Sequence, residues 1–253
     1  MKNRLIILVF ALVLSGYGRA QEFKISKSSG RLELNIGRVT VEGHDGNEII
    51  FSSTNGRREK DERAEGLRVV NSLGLDDNTG LGINVTDKGN VVEVHQLKRT
   101  HAPDIRVLVP KGIIISFEHD SQYGGDVRFI NLTNEIEVSA VYNSVELKQV
   151  TGPLTIKNTY GGVTADFTTG IKEPISIVSI YGFIDATLPQ ATQADLNLST
   201  THGDIFVAPE LKIDVATRDG MKVYSDKVTG KLNGGGIDID LSSNYGKIYL
   251  RKK

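Results

Sequence analysis

Apolar and polar residues alternate along much of the chain, and the alternation slips by one position at regular intervals. Ile136, Val138 and Ala140 hold one phase, and after Tyr142-Asn143 the apolar series resumes out of phase at Val145 and Leu147. The skeleton returns as Leu154, Ile156, Tyr160-Gly161, Val163, Ala165, Phe167, and again as Ile175, Ile177, Tyr181-Gly182, Ile184, Ala186, Leu188. It recurs as Leu196, Leu198, His202-Gly203, Ile205, Val207 and as Ile239, Leu241, Tyr245-Gly246, Ile248, Leu250. Two copies are imperfect: Phe117 to Tyr123-Gly124 carries His119 at an apolar position, and Ile213, Val215, Asp219-Gly220 loses its phase afterwards. Period-two alternation means half-buried strands, and a one-residue slip means a bend between two of them. Glycine or asparagine at the slip predicts a positive φ angle there.

The corners fall at residues 123, 142, 160, 181, 202, 219 and 245, so most intervals lie between 17 and 21 residues. Thr151-Gly152-Pro153, Thr169-Gly170 and Thr229-Gly230 mark a second corner in several rungs. One corner recurring in one phase predicts an all-β fold, a single-chain β-solenoid (β-helix) with rungs of roughly 17–21 residues. Each rung would stack about 4.8 Å above the last, with like side chains forming ladders. An antiparallel sandwich is the alternative, although its tight hairpins typically carry Asn-Gly or Asp-Gly.

Residues 21–253 read as one solenoid domain, with a less regular part over 21–112 and the regular repeats over 113–253. In the first part Leu32, Leu34, Ile36-Gly37, Val39 and Val41 repeat the slip, and further strands are expected at 48–52, 83–87, 91–96 and 105–109. Pro110-Lys111-Gly112 is a turn into the repeats. The mixed charge run from Arg57 to Glu65 reads as a solvated loop or a short amphipathic helix with Ala64, Leu67 and Val70 turned inward.

Residues 1–20 change the compartment. Lys2 and Arg4 precede an apolar run from Leu5 to Leu14, and small and polar residues close at Ala20 before Gln21. This is the order of a secretory signal peptide cleaved between Ala20 and Gln21, and about twenty apolar residues would be needed to span a membrane. The expected location is outside the cytoplasm, in the periplasm, on the outer surface or secreted, with no integral membrane segment in the mature chain. The sequence has no cysteine, which excludes disulfides, thiolate metal sites and a lipoprotein anchor. Removing Lys2, Arg4 and Arg19 leaves 27 basic against 31 acidic residues, a balance that gives nucleic acid no electrostatic attraction.

Candidate chemistry is sparse, and no catalytic, cofactor-binding or metal-binding residue is expected. His95 and His101, with Asp104 and His119-Asp120 nearby, could hold a metal only if facing strands brought them together. Gly234-Gly235-Gly236-Ile237-Asp238-Ile239-Asp240 resembles a calcium-binding β-roll repeat but occurs once, and Asp76-Asp77-Asn78-Thr79-Gly80 reads as a turn. Asp166 and Asp185 occupy outward positions of successive rungs and would be the carboxylate pair of a polysaccharide-active enzyme, which is one alternative function. Lys247 and Arg251-Lys252-Lys253 are expected to guard the open edge of a last rung. The candidate site is the corner ladder of Tyr123, Tyr142, Tyr160, Tyr181, His202 and Tyr245, whose rings could stack on one another, on sugar faces, or both.

With these rungs, the Gly43-His44-Asp45-Gly46 turn and the passage from Arg106 to Gly112 in view, the chain resembles the bacterial putative-adhesin β-strand-repeat family, a domain of unknown function of the Bacteroidetes type. The resemblance implies an exported single-stranded β-helix and supplies no catalytic residues. The expected function is a non-enzymatic, adhesin-like or cell-envelope binding or scaffold protein whose partner is a glycan or an envelope or surface protein. A structural or sensing envelope component without a separable ligand is the other non-enzymatic alternative.

Overall fold

The computed structural model describes residues 21–53, 63, 67, 71, 73–215, 217, 218, 221, 222 and 227–253. The expected signal peptide with Ala20, most of the charge run from Arg57 to Glu65, and the corner at Asp219-Gly220 lie outside the described residues.

Among the described residues every regular element longer than a single residue is a strand. The first are β1 (Glu22–Ser26), β2 (Ser29–Asn35), β3 (Val39–His44), β4 (Glu48–Ser53), β5 (Ile83–Asp87), β6 (Val91–Gln96) and β7 (Ile105–Pro110). The regular repeats give β8 (Gly112–His119), β9 (Val127–Ile130), β10 (Ile136–Ala140), β11 (Val145–Val150), β12 (Leu154–Asn158), β13 (Val163–Phe167), β14 (Ile175–Ser179) and β15 (Ile184–Leu188). There follow β16 (Ala194–Thr200), β17 (Ile205–Val207), β18 (Ile213–Val215), β19 (Thr217–Arg218), β20 (Met221–Lys222), β21 (Lys227–Leu232), β22 (Ile237–Ser243) and β23 (Ile248–Lys252). Among the described residues no helix is long and apolar enough to cross a membrane.

The strands form two large, mostly parallel sheets. One runs β1-β4-β7-β3-β9-β11-β13-β15-β23-β17, the other β18-β21-β16-β22-β14-β12-β10-β8-β2-β6-β5, and β19 pairs with β20 separately. Each rung places one strand in each sheet and turns between them at the corner read from the sequence. Stacking is in register: Ile136 pairs with Leu154, Leu154 with Ile175 and Ile175 with Ile239 in one sheet. Val145, Val163, Ile184 and Ile248 do the same in the other. Parallel pairing of this kind excludes the antiparallel sandwich for the rungs. Both apolar faces turn inward and their side chains form one core; Ile156, Phe167, Ile177, Ile184, Leu241 and Ile248 are fully buried. Each such side chain stabilises the stack by about 1.5–3 kcal/mol relative to exposure.

Rungs do not stack in chain order throughout, contrary to the simple coil that the repeat predicts. In space the series is β6–β7, β2–β3, β8–β9, β10–β11, β12–β13, β14–β15, β22–β23, β16–β17. The β2–β3 rung lies between two rungs that follow it in sequence, and the β22–β23 rung lies between two that precede it. The imperfect copy at Ile213 and Val215 is not a rung: β18 runs antiparallel to β21, which runs antiparallel to β16. Thr229-Gly230 is not a corner but the middle of β21, where a side chain on Gly230 would meet Ile213 and the Asp214 carbonyl. At the other end β5 pairs antiparallel with β6, β4 with β7 and β1 with β4. Antiparallel strands therefore extend both sheets at one end of the stack and one sheet at the other, where β17 is the last strand of its sheet.

The strand carrying Arg251 is not an edge either. β23 pairs with β15 on one side and β17 on the other, and Arg251 and the following Lys253 make ion pairs along the sheet instead of guarding an opening. Arg251 donates to both Asp185 oxygens at 2.7 and 2.9 Å, and Lys253 Nζ donates to Asp166 at 2.8 Å.

Candidate functional site: an aromatic edge

The corner is a four-residue turn in five successive rungs: Val141-Tyr142-Asn143-Ser144, Thr159-Tyr160-Gly161-Gly162, Ile180-Tyr181-Gly182-Phe183, Asn244-Tyr245-Gly246-Lys247 and Thr201-His202-Gly203-Asp204. Its third position is a close contact, not a left-handed residue. None of Asn143, Gly161, Gly182, Gly203 and Gly246 is among the residues with positive φ, whereas Gly152 and Gly170 at the second corner have φ of 85° and 94°. A β-carbon on Gly161 would overlap the Asn143 carbonyl, one on Gly182 the Gly161 carbonyl, one on Gly246 the Gly182 carbonyl, and one on Gly203 the Gly246 carbonyl. Glycine is needed because each rung packs its backbone onto the one below.

A polar column seals this crowded backbone from inside. The last inward position of each strand is His119, Ala140, Asn158, Ser179, Ser243 or Thr200, in stacking order. Ser179 Oγ accepts from Gly182 N–H at 3.0 Å. Ser243 Oγ accepts from Gly246 N–H at 3.0 Å and donates to the Gly182 carbonyl at 3.1 Å, and Thr200 repeats the pattern with Gly203 and Gly246. Where the strand offers only Ala140, the corner residue is Asn143, whose buried amide donates to the carbonyls of Gly37 and Gly125, both at 2.8 Å. That leaves the Asn143 oxygen facing His119 Nδ1 at 2.8 Å, so the ring proton sits on Nδ1. His119 is therefore a structural member of the column. His101 turns instead to the Thr100 hydroxyl and His95 to Glu93.

Outside the column stand the rings. Tyr142 stacks on Tyr160 at 5.2 Å between centroids, Tyr160 on Tyr181 at 5.1 Å, Tyr181 on Tyr245 at 5.0 Å, and Tyr245 on His202 at 5.0 Å, with interplanar angles of 7–20°. The order follows the rungs in space, so Tyr245 stands between Tyr181 and His202. Tyr123 lies outside the stack: its corner spans residues 120–126, longer than the four residues of the others. Each stacked tyrosine is about half exposed, Tyr160 53%. Ring faces inside the ladder are covered by neighbouring rings, so it presents edges and phenol hydroxyls, and a sugar can lie flat only on its ends.

Three aromatic residues that were not among the candidates extend this surface. Phe183, at the fourth corner position, covers Gly162, where a β-carbon would meet its ring. Phe206 stacks on Tyr249 at 5.2 Å, with Lys247 Nζ 5.7 Å from the Phe206 centroid and the Arg251 guanidinium 5.5 Å from that of Tyr249. All three occupy outward phases of the alternation; what the sequence does not show is which rung each one faces.

The other chemistry considered does not converge. Asp166 pairs with Thr187 and Asp185 with Thr164, so the two carboxylates are not register partners, and each is held by a cation. The Arg251 guanidinium is raised above its ordinary value, chiefly by the hydrogen bond to Asp185. Asp240 accepts from the Asn197 amide at 2.6 Å, and the Gly234-Gly235-Gly236 segment crosses over the chain at Gln193–Asp195. Among the described residues no group of three or more metal-ligating side chains gathers. Asp77 accepts from the N–H groups of Thr79, Gly80 and Gly82, as a turn residue does.

No curated protein matches the chain. Among solved structures, a putative cell adhesion protein from Clostridium sporogenes aligns over 93% of this chain and 100% of its own, at 12% identity and a TM-score of 0.41. A putative adhesin from Bacteroides fragilis aligns over 92% of this chain and 96% of its own, at 13% identity and a TM-score of 0.37. The Toastrack DUF4097 family model matches residues 19–251, which takes in nearly every strand of both sheets. The chain belongs to the Toastrack DUF4097 family, a domain of unknown function.

Proposed function

We propose that this is an exported, non-catalytic β-solenoid domain whose aromatic edge is a contact surface for a glycan or for an envelope or surface protein. One observation carries the reading. Among the described residues the exposed large apolar side chains are Tyr123, Tyr142, Tyr160, Tyr181, Phe183, Phe206, Tyr245 and Val178, together with Leu67 and Leu73. All but the last two lie on or beside this one edge, and a concentrated exposed apolar patch marks an interaction site. Phe183 supports a flat-lying ligand, because no ring among the described residues stacks on it. The engagement of Asp166 and Asp185 by cations supports a binding role over hydrolysis, which needs one carboxyl kept protonated. Residues 1–20 support export.

The test is the double variant Phe183→Ser, Phe206→Ser, compared with the parent on glycan and surface-protein arrays and by thermal melting. Loss of binding in a protein that still folds, its melting temperature lowered only as far as the lost Phe206–Tyr249 pair requires, is expected; retained binding overturns the reading. A structural envelope component without a separable ligand is the second reading, favoured by the ladder, whose ring faces are occupied by one another. It expects no array signal from either protein.

A further inference from the structure

The slot filled by β22 and β23 has an unusual property: the rungs on either side of it are consecutive in the chain and can pair with each other. Ile175 and Leu196 both pair with Ile239, Ile177 and Leu198 both with Leu241, and Ser179 and Thr200 both with Ser243. In the other sheet Ile184 and Ile205 both pair with Ile248. Removing the inserted rung would thus let β14–β15 and β16–β17 close in the register that every regular pair of consecutive rungs uses. Even the corner would close, with His202 taking the place of Tyr245 on Tyr181 and Gly203 that of Gly246 on the Gly182 carbonyl.

Folding in chain order reaches this competition before residues 237–252 can act, since β16–β17 precede them. Until residues 237–252 dock between the flanking rungs, which must stand apart or reopen to receive them, Ile239, Leu241, Ile248 and Leu250, buried in the native stack, are left without a core. The surface complementary to them in every respect is the open slot of another copy. The segment that delivers the rung is suited to the exchange: Asn233, Gly234 and Gly235, all at positive φ, and Gly236 form a link free of bulky side chains after β21. A glycine link can point the rung toward its own slot or away from it.

We infer that residues 237–252 form an exchangeable rung, which inserts between β14–β15 and β16–β17 of a second copy of this chain and produces reciprocally swapped dimers. The interaction surface is the slot itself, the partner is an identical chain, and the hinge is 233–236.

The chain has no cysteine, which makes the test clean. Val178 and Ser242 are register partners across the slot and both point outward, at a separation within the reach of a disulfide. Two full-length single-cysteine variants, Val178→Cys and Ser242→Cys, are mixed unfolded, refolded at high concentration and oxidised. A disulfide-linked 178–242 heterodimer is expected, and it should be absent when the two are mixed after folding separately. The double variant refolded at high dilution should close the same disulfide within one chain. An internal disulfide in the double variant with no heterodimer from the refolded mixture overturns the exchange. Failure of the double variant to close overturns the slot register, and the inference with it.

Discussion

Tyr245 stacks on Tyr181 at 5.0 Å, taking the place that chain order gives to His202. The ladder is therefore ordered by rungs and not by sequence, and its members differ in the number of rings they touch. Tyr160 touches two, Tyr142 and Tyr181, whereas His202 touches Tyr245 alone. Tyr160→Leu should lower stability by about 1–3 kcal/mol through two lost ring pairs, and His202→Leu by about half of that. Urea unfolding monitored by circular dichroism checks the ratio; equal effects would mean that the rings contribute burial and no stacking.

The glycine column and the second corner separate two reasons for the same residue. Gly182→Ala drives a methyl group into the Gly161 carbonyl and should cost about 3 kcal/mol. Gly170→Ala meets open space at a φ of 94° and should cost about 1 kcal/mol through backbone strain alone. Asparagine, which tolerates positive φ, should recover part of the loss at 170 and none at 182. Midpoints from denaturant titration of the four variants check the contrast.

Ser243 bridges two rungs, and Ser179 serves one. Ser243→Ala leaves the Gly246 N–H and the Gly182 carbonyl short of a partner and should cost about 1–3 kcal/mol. Ser179→Ala removes the single bond from Gly182 N–H and should cost less. Thermal melting of both variants reads the difference.

How much of this was legible in the sequence depends on what a repeat can encode. The alternation of Ile175 and Ile177 with Ile184 and Ala186 around Tyr181-Gly182 located two strands and the corner between them, because burial dictates the phase. The same code could not decide whether Ile184 meets Ile205 or Ile248, since the three present the same surface to a neighbour. That choice is made by the connection from β21, which must cross the start of β16. The reason for glycine was also hidden: crowding against the rung below is a property of two rungs, and one rung's sequence carries no trace of it. Phe183 was readable as outward, but its position over Gly162 depends likewise on the adjoining rung.

Acid should act through Glu137. Its carboxyl is held below the ordinary 4.5 by the hydrogen bond from Arg31, with burial opposing and the Arg31 charge adding. The two side chains meet at 2.5 Å across β8, linking β2 to β10. A carboxylate depressed in the folded state contributes stability that is complete above its unfolded value and lost as pH falls through the folded one. Both side chains are partly exposed, so Glu137→Gln should cost at most about 1 kcal/mol at neutral pH. The difference from the parent should shrink below pH 4.5 and disappear once the carboxyl is protonated. Melting curves at pH 7 and at acidic pH check both arms.

In an ordinary repeat array the rungs at the extremities of the sequence have one neighbour each and open first. Here β2–β3 and β22–β23, the first and last rungs along the described chain, are clamped on both faces. Three of the four sheet edges, β5, β17 and β18, are strands from the interior of the sequence, and the fourth is β1. Fraying should then begin at β1 and, in mid-chain, at β17: amide protons of these edge strands should exchange with deuterium early, while those of Leu241 and Leu250 persist. A protease working on the folded protein should accordingly nick the 208–212 link sooner than either clamped rung.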